Sequence, residues 1–140
     1  MTILLTGGTG KTSTEVARLL KDANIAVLLA SRSNSAPPPY KTCQFDWLDS
    51  TTYWNPFLEA FDITAVYLVA PPGILDILPV MKPFIDFARS KGIQRFVLLS
   101  SSGFEADGPF LGKVHGYLIS LKVEYAVLQP TWFMGRSSVY

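Results

Sequence analysis

Six short runs of almost unbroken apolar residues alternate with stretches of helical periodicity along this chain of 140 residues. The runs cover residues 3–6, 25–30, 42–45, 64–70, 94–100 and 123–128. A short apolar run bounded by turn residues reads as a strand buried on both faces, the state strands reach in a parallel sheet covered by helices. Between them, residues 11–22 are expected to form a helix with Val16, Leu19 and Leu20 on one face. Residues 50–61 read as helical, with Pro56 weakening the first half. A further helix runs to Ser90; Pro79 and Pro83 imply a kink or a late start, and Gly92 stands as its stop. Residues 110–121 place Val114, Leu118 and Leu121 at helical spacing. The segment 31–41, with Pro37-Pro38-Pro39, reads as a surface loop. Alternating strand and helix implies an α/β fold. Right-handed crossovers then give a Rossmann-type doubly wound parallel sheet of about six strands in the order 3-2-1-4-5-6, with helices on both faces. Ligand binds where that order reverses, which places residues 7–12 beside Ala70-Pro71-Pro72.

The stretch "LLTGGTGKTST" after the first run holds glycines and a lysine that suit a phosphate. A triphosphate loop, G-x-x-x-x-G-K-[ST], ending at Gly10-Lys11-Thr12 requires glycine at position 5, where Leu5 stands inside the strand. The dinucleotide loop fits better. Gly7 turns the chain off the strand, Gly10 admits the pyrophosphate to the backbone, and the helix beginning near Lys11 aims its N-terminus at it. The third small position falls on Ser13. A glycine-rich turn without a ligand is the plainer alternative.

The end of the second strand discriminates between cofactors. A carboxylate there accepts hydrogen bonds from a ribose 2′-hydroxyl and repels a 2′-phosphate. The chain reads Ala30-Ser31-Arg32-Ser33 instead, with a guanidinium fork and flanking hydroxyls. NADP is therefore expected over NAD, the alternative being that Arg32 is a solvated loop residue. A tyrosine with a lysine four residues later, the pair that protonates a developing alkoxide, is missing. Tyr117 is followed at that spacing by Leu121, with Lys122 one residue further. Ser100, Ser101 and Ser102 end the fifth strand on the nicotinamide side, where they can bond substrate or close a turn. Lys113 is the polar candidate for catalysis, against the alternative of a solvated helix lysine; the lone His115 reads as packing.

A net charge of +1 with 16% charged residues offers no footprint for nucleic acid or an anionic membrane. That fraction lies well below the roughly 25% of ordinary domains, so the sheet buries both faces or expects a cover. One cysteine, Cys43, rules out a disulfide framework and reads as a buried, inert thiol. No basic leader is evident, and the apolar stretch 65–75 is broken by Pro71-Pro72-Gly73. The expected address is cytoplasmic, and no metal-ligand cluster is visible.

Across most of its length the chain resembles the festuclavine/agroclavine dehydrogenases of ergot-alkaloid biosynthesis, in the NmrA-like branch of atypical short-chain dehydrogenases. The resemblance rests on "MTILLTGGTGKTS", "SRSNSA", "FDWLD", "FIDFA", "FVLLSSS", "GKVHG" and "LQPTWFM". It implies a nucleotide-binding domain over residues 1–134, NADP as cofactor, and hydride reduction of the iminium carbon–nitrogen bond of a clavine intermediate. It also accounts for the missing tyrosine–lysine pair, because hydride addition to a cationic iminium yields a neutral amine and needs no proton donor at the reacting centre. Carried over by position, Gly7, Thr9, Gly10, Lys11 and Thr12 form the pyrophosphate loop. Arg32, beside Ser31, meets the 2′-phosphate, and Asp46 and Trp47 of "FDWLD" lie against the adenine. Ala70, Pro71 and Ser100 complete the expected cofactor contacts, and Lys113 loosely matches a lysine of isoflavone-reductase-like enzymes. Two departures stand out. Gln129 occupies a place where the family shows arginine, and the family's continuation after "PTWFM" gives way to "GRSSVY" at residues 135–140. These lead to the expectation of a shortened product without its substrate region that binds cofactor weakly, reduces iminium poorly or not at all, and self-associates through the uncovered "TWFM" edge. A regulator of the NmrA type that binds NADP without chemistry, and a non-catalytic fragment, are the rival readings.

Overall fold

In the computed structural model the described residues are 1–7, 11–33, 40–71, 74, 76–99 and 111–128; of Lys11, Thr12 and Leu128 only the backbone is described. Six parallel strands form one sheet in the order β3-β2-β1-β4-β5-β6. They are β1 (Thr2–Leu5), β2 (Ala26–Ser31), β3 (Lys41–Gln44), β4 (Ile63–Leu68), β5 (Arg95–Leu99) and β6 (Glu124–Leu128). The helices are α1 (Lys11–Asp22), α2 (Asn55–Glu59), α3 (Leu78–Ser90) and α4 (Leu111–Leu121). This is the doubly wound order expected from the alternation of runs.

Neighbouring residues of each strand serve opposite cores. Leu4, Leu28, Val66, Leu68, Phe96 and Leu98 point to one face, where α3 buries Met81, Phe84, Ile85 and Ala88 and α4 buries Val114 and Leu118. Leu5, Leu29 and Tyr67 point to the other, against Ala17 of α1. The register agrees, with Leu5 beside both Leu29 and Tyr67 and Leu4 beside both Leu28 and Val66. Side-chain period two makes this partition unavoidable once both faces are covered.

Local differences from the sequence reading have clear causes. Helix α1 turns Ser13, Val16 and Ala17 toward the sheet and half-buries Leu20, whereas Leu19 of the expected face is 54% exposed. Residues 50–61 do not form one helix. Ser50–Thr52 make a 3-10 turn with Asp49 as N-cap, and the short α2 follows. Pro56 sits in the first turn of α2, where its missing N–H has no intrahelical partner to lose, so it starts a helix rather than weakening one. Pro79 does the same for α3, confirming the late start. Gly92, at φ +93°, ends that helix. Among the described residues no helix is long and apolar enough to cross a membrane.

Candidate functional site

A cleft of about 400 Å³ opens at the carboxyl ends of β1 and β4, where the strand order reverses. Its lining includes Thr6 and Gly7 after β1, Ser31 and Arg32 at the end of β2, Asp46, Trp47 and Leu48 after β3, and Val69, Ala70 and Pro71 after β4. The sequence-derived residues Gly7, Ser31, Arg32, Asp46, Trp47, Ala70 and Pro71 therefore come together in one cavity. Thr9, Gly10 and Ser100 lie outside the described residues. Lys11 and Thr12 open α1, with only their backbone described. Lys113 is exposed on α4 and is not among the described lining residues. The C-terminal "TWFM", on which expected self-association rests, also lies outside the described residues.

The glycine at position 7 answers to packing rather than to a left-handed backbone. A Cβ there would sit 2.9 Å from both Cβ and Cγ1 of Val69 and 3.1 Å from Oγ of Ser13. Ser13, the third small position of the loop, is 1% exposed, and its hydroxyl has no hydrogen-bond partner among the described residues. Only small side chains let α1 approach the β1–β4 junction this closely.

Thr6 holds that junction. Its hydroxyl donates to the carbonyl of Tyr67 (2.8 Å) and accepts from the N–H of Val69 (2.9 Å), while its own N–H bonds the same Tyr67 carbonyl. Val69 lies one residue beyond the end of β4, so the Thr6 side chain satisfies an N–H that the ladder no longer pairs.

The opposite wall is anchored from beneath. Phe84 of α3 lies 4.7 Å from the Phe45 ring, 5.6 Å from Trp47 and 5.3 Å from Tyr53, all edge to face. The Tyr53 hydroxyl donates to the Trp47 carbonyl at 2.8 Å, and burial raises its pKa above the usual tyrosine value. The N–H of Asp46 bonds the Thr52 hydroxyl at 3.0 Å, and one Asp46 carboxylate oxygen accepts from the N–H of Leu48 at 2.9 Å. Trp47 is 7% exposed and donates its indole N–H to the carbonyl of Val69 at 3.2 Å.

At the rim, Arg32 is exposed and takes part in no ion pair among the described residues. The Ser31 and Ser33 hydroxyls lie 3.4 Å apart beside it. Such a cation flanked by hydroxyls can receive a phosphate. No group of three or more His, Cys, Asp or Glu side chains placed to hold a metal occurs among the described residues.

Sequence reasoning missed Thr6, Phe45, Leu48, Val69 and Ile74 as lining residues. Thr6 was legible only as the end of a strand, and Val69 as one more apolar residue within another.

No family model matches the chain. It is 50% identical to festuclavine synthase II of Penicillium roqueforti over 96% of its own length and 48% of that protein's. It is 46% identical to agroclavine dehydrogenase of Claviceps fusiformis over 99% of its length and 49% of that protein's. The chain thus spans about half the length of the curated relatives it matches. Among solved structures, UDP-glucose 4-epimerase of Thermus thermophilus, in complex with NAD, superposes with a TM-score of 0.72 at 18% identity. That superposition covers 92% of this chain and 54% of the epimerase, and it shows the Rossmann-type fold.

Proposed function

We propose that this chain, a homologue of the festuclavine synthases and agroclavine dehydrogenases, is the dinucleotide-binding part of an oxidoreductase that takes NADPH and reduces the iminium of a clavine intermediate. The observation that supports it best is the cleft at the strand-order switch with Arg32 and Ser31 on its rim and no carboxylate at the end of β2. In this reading Arg32 meets the 2′-phosphate, the N-terminus of α1 faces the pyrophosphate, and the wall at Val69, Ala70 and Pro71 supports the dinucleotide along its length.

NADPH bound here would supply the hydride. Hydride addition to the iminium carbon, with the π pair of the C=N bond moving onto nitrogen and NADP⁺ as the oxidised product, would give a neutral amine. No proton is transferred, so the protein needs no general acid. Its task is to bind, to orient two planar partners and to exclude water. The relatives' printed names favour this enzyme reading over a purely regulatory one.

Titration with NADPH and NADH, followed by nicotinamide fluorescence, tests the cofactor. Tighter binding of NADPH is expected, and equal affinities overturn the NADP assignment. NADPH oxidation with an iminium generated from chanoclavine aldehyde and a thiol then tests the substrate. Turnover supports the reading; tight NADPH binding with no oxidation by the chain or by a form extended to the relatives' length overturns it.

A further inference from the structure

Val69 is held at every backbone group it has. Its N–H is taken by the Thr6 hydroxyl from the end of β1, and its carbonyl by the Trp47 indole from beyond β3. Its Cβ lies where any side chain on residue 7 would collide. β3 and β4 are not neighbours, because β2 and β1 stand between them. The indole therefore ties together two walls of the cleft that no backbone hydrogen bond connects among the described residues. The ring making that tie is fixed in turn, edge-on to Phe45 at 5.1 Å and to Phe84 at 5.6 Å.

We infer that Trp47 is a positioning residue of the dinucleotide groove, acting through the Val69 carbonyl rather than through its ring face. The inference rests on the dinucleotide reading above. With the indole N–H in place, the Val69–Pro71 wall stands at one distance from the Asp46–Leu48 wall, and the groove is preorganised. Without it the Val69 carbonyl must find water, which draws that wall away from its partner. The groove then populates a wider state, and every dinucleotide binds less tightly by the same factor.

The test replaces Trp47 by β-(3-benzothienyl)alanine, which keeps the bicyclic shape and stacking surface but has sulfur in place of N–H. 7-Azatryptophan at the same position, which keeps the N–H, is the control. Trp47→Phe is a coarser variant whose loss of packing makes it informative only beside these two. The sulfur isostere is expected to raise Kd for NADPH and NADH together by about fivefold, the shift one net hydrogen bond supplies, with their ratio unchanged. The 7-aza form should bind as the wild type does. A benzothienyl variant with wild-type affinity, or one that changes only the melting temperature, overturns the inference while leaving the dinucleotide site standing. A wild-type chain that binds neither dinucleotide overturns the dinucleotide reading and this inference with it.

Discussion

Arg32 and Gly7 illustrate two ways in which a single residue sets this site, one by charge and one by the absence of a side chain. Arg32 is exposed at the cleft rim, so its removal should leave the fold alone and act on ligand only. Arg32→Ala is expected to weaken NADPH by about 1.5–3 kcal/mol, the range for a hydrogen bond to a charged group, and to leave NADH unchanged. Paired fluorescence titrations read this directly, and an unaltered NADPH preference would contradict the assignment. Gly7→Ala places a methyl 2.9 Å from Val69 Cβ, against a residue whose N–H and carbonyl are both fixed. Overpacking of this kind costs about 1–3 kcal/mol. Adding Val69→Gly removes both obstructing carbons, so Gly7→Ala should cost markedly less in the Val69→Gly background than in the wild type. Chemical denaturation of the three variants checks it, and strict additivity of the two changes would refute the packing account.

At the scale of elements, the helix ends carry information that periodicity misses. Helices α1 and α4 are followed by Asn24 at φ 61° and Lys122 at φ 58°, both left-handed. Asparagine tolerates that region, whereas lysine gains nothing from it locally. Lys122→Gly is therefore expected to stabilise the chain by about 0.5–1 kcal/mol, read as a higher midpoint in urea. At Gly92 the sign reverses. A Cβ there would meet nothing within 4 Å, yet φ is +93°, so Gly92→Ala should destabilise through backbone strain alone, by about 1 kcal/mol. The proline positions follow the same logic. Pro56 and Pro79 occupy first turns, where sequence reading of a proline as a weakener applies to helix interiors and not to their starts.

The whole molecule has two cores of unequal size on either side of one sheet, and each buries an ionisable group. Cys43 is 3% exposed, and burial pushes its thiol from the ordinary 9.0 up to about 12. Tyr67, 2% exposed in the core under α1, is pushed by burial from 10.0 up to about 12. Burial favours the neutral form of both in the fold, and both ionise more readily once unfolded. Their folded pKa values are raised, so stability is intact below pH 9 and falls as pH rises. Cys43 contributes a loss of about 1.4 kcal/mol per unit above its unfolded value, and Tyr67 joins at the same slope above about 10. Tyr117, kept neutral first by burial and then by its hydrogen bond to the Asp86 carboxylate, acts in the same direction. Urea midpoints measured from pH 8 to 11 should decline with increasing steepness, and a flat profile would contradict the burial of these groups. Cys43 should also resist thiol reagents until the chain unfolds, since the reactive thiolate is suppressed.

The sequence by itself determined the sheet order, because apolar runs alternating with helical stretches leave few topologies once crossovers are right-handed. It also placed Gly7, Ser31, Arg32, Ala70 and Pro71 together, because they follow strand ends near a switch point, while the family resemblance added Asp46 and Trp47. What only the tertiary structure decided is how those residues are held. The Thr6 hydroxyl bonds residues 61 and 63 positions away, and the Trp47 indole one 22 away, so no local pattern encodes either contact. Likewise, Gly7 reads in the sequence as a turn and in the fold as room for Val69. Local periodicity reports which way a residue faces. The partner it meets there depends on which strands the crossovers have made neighbours.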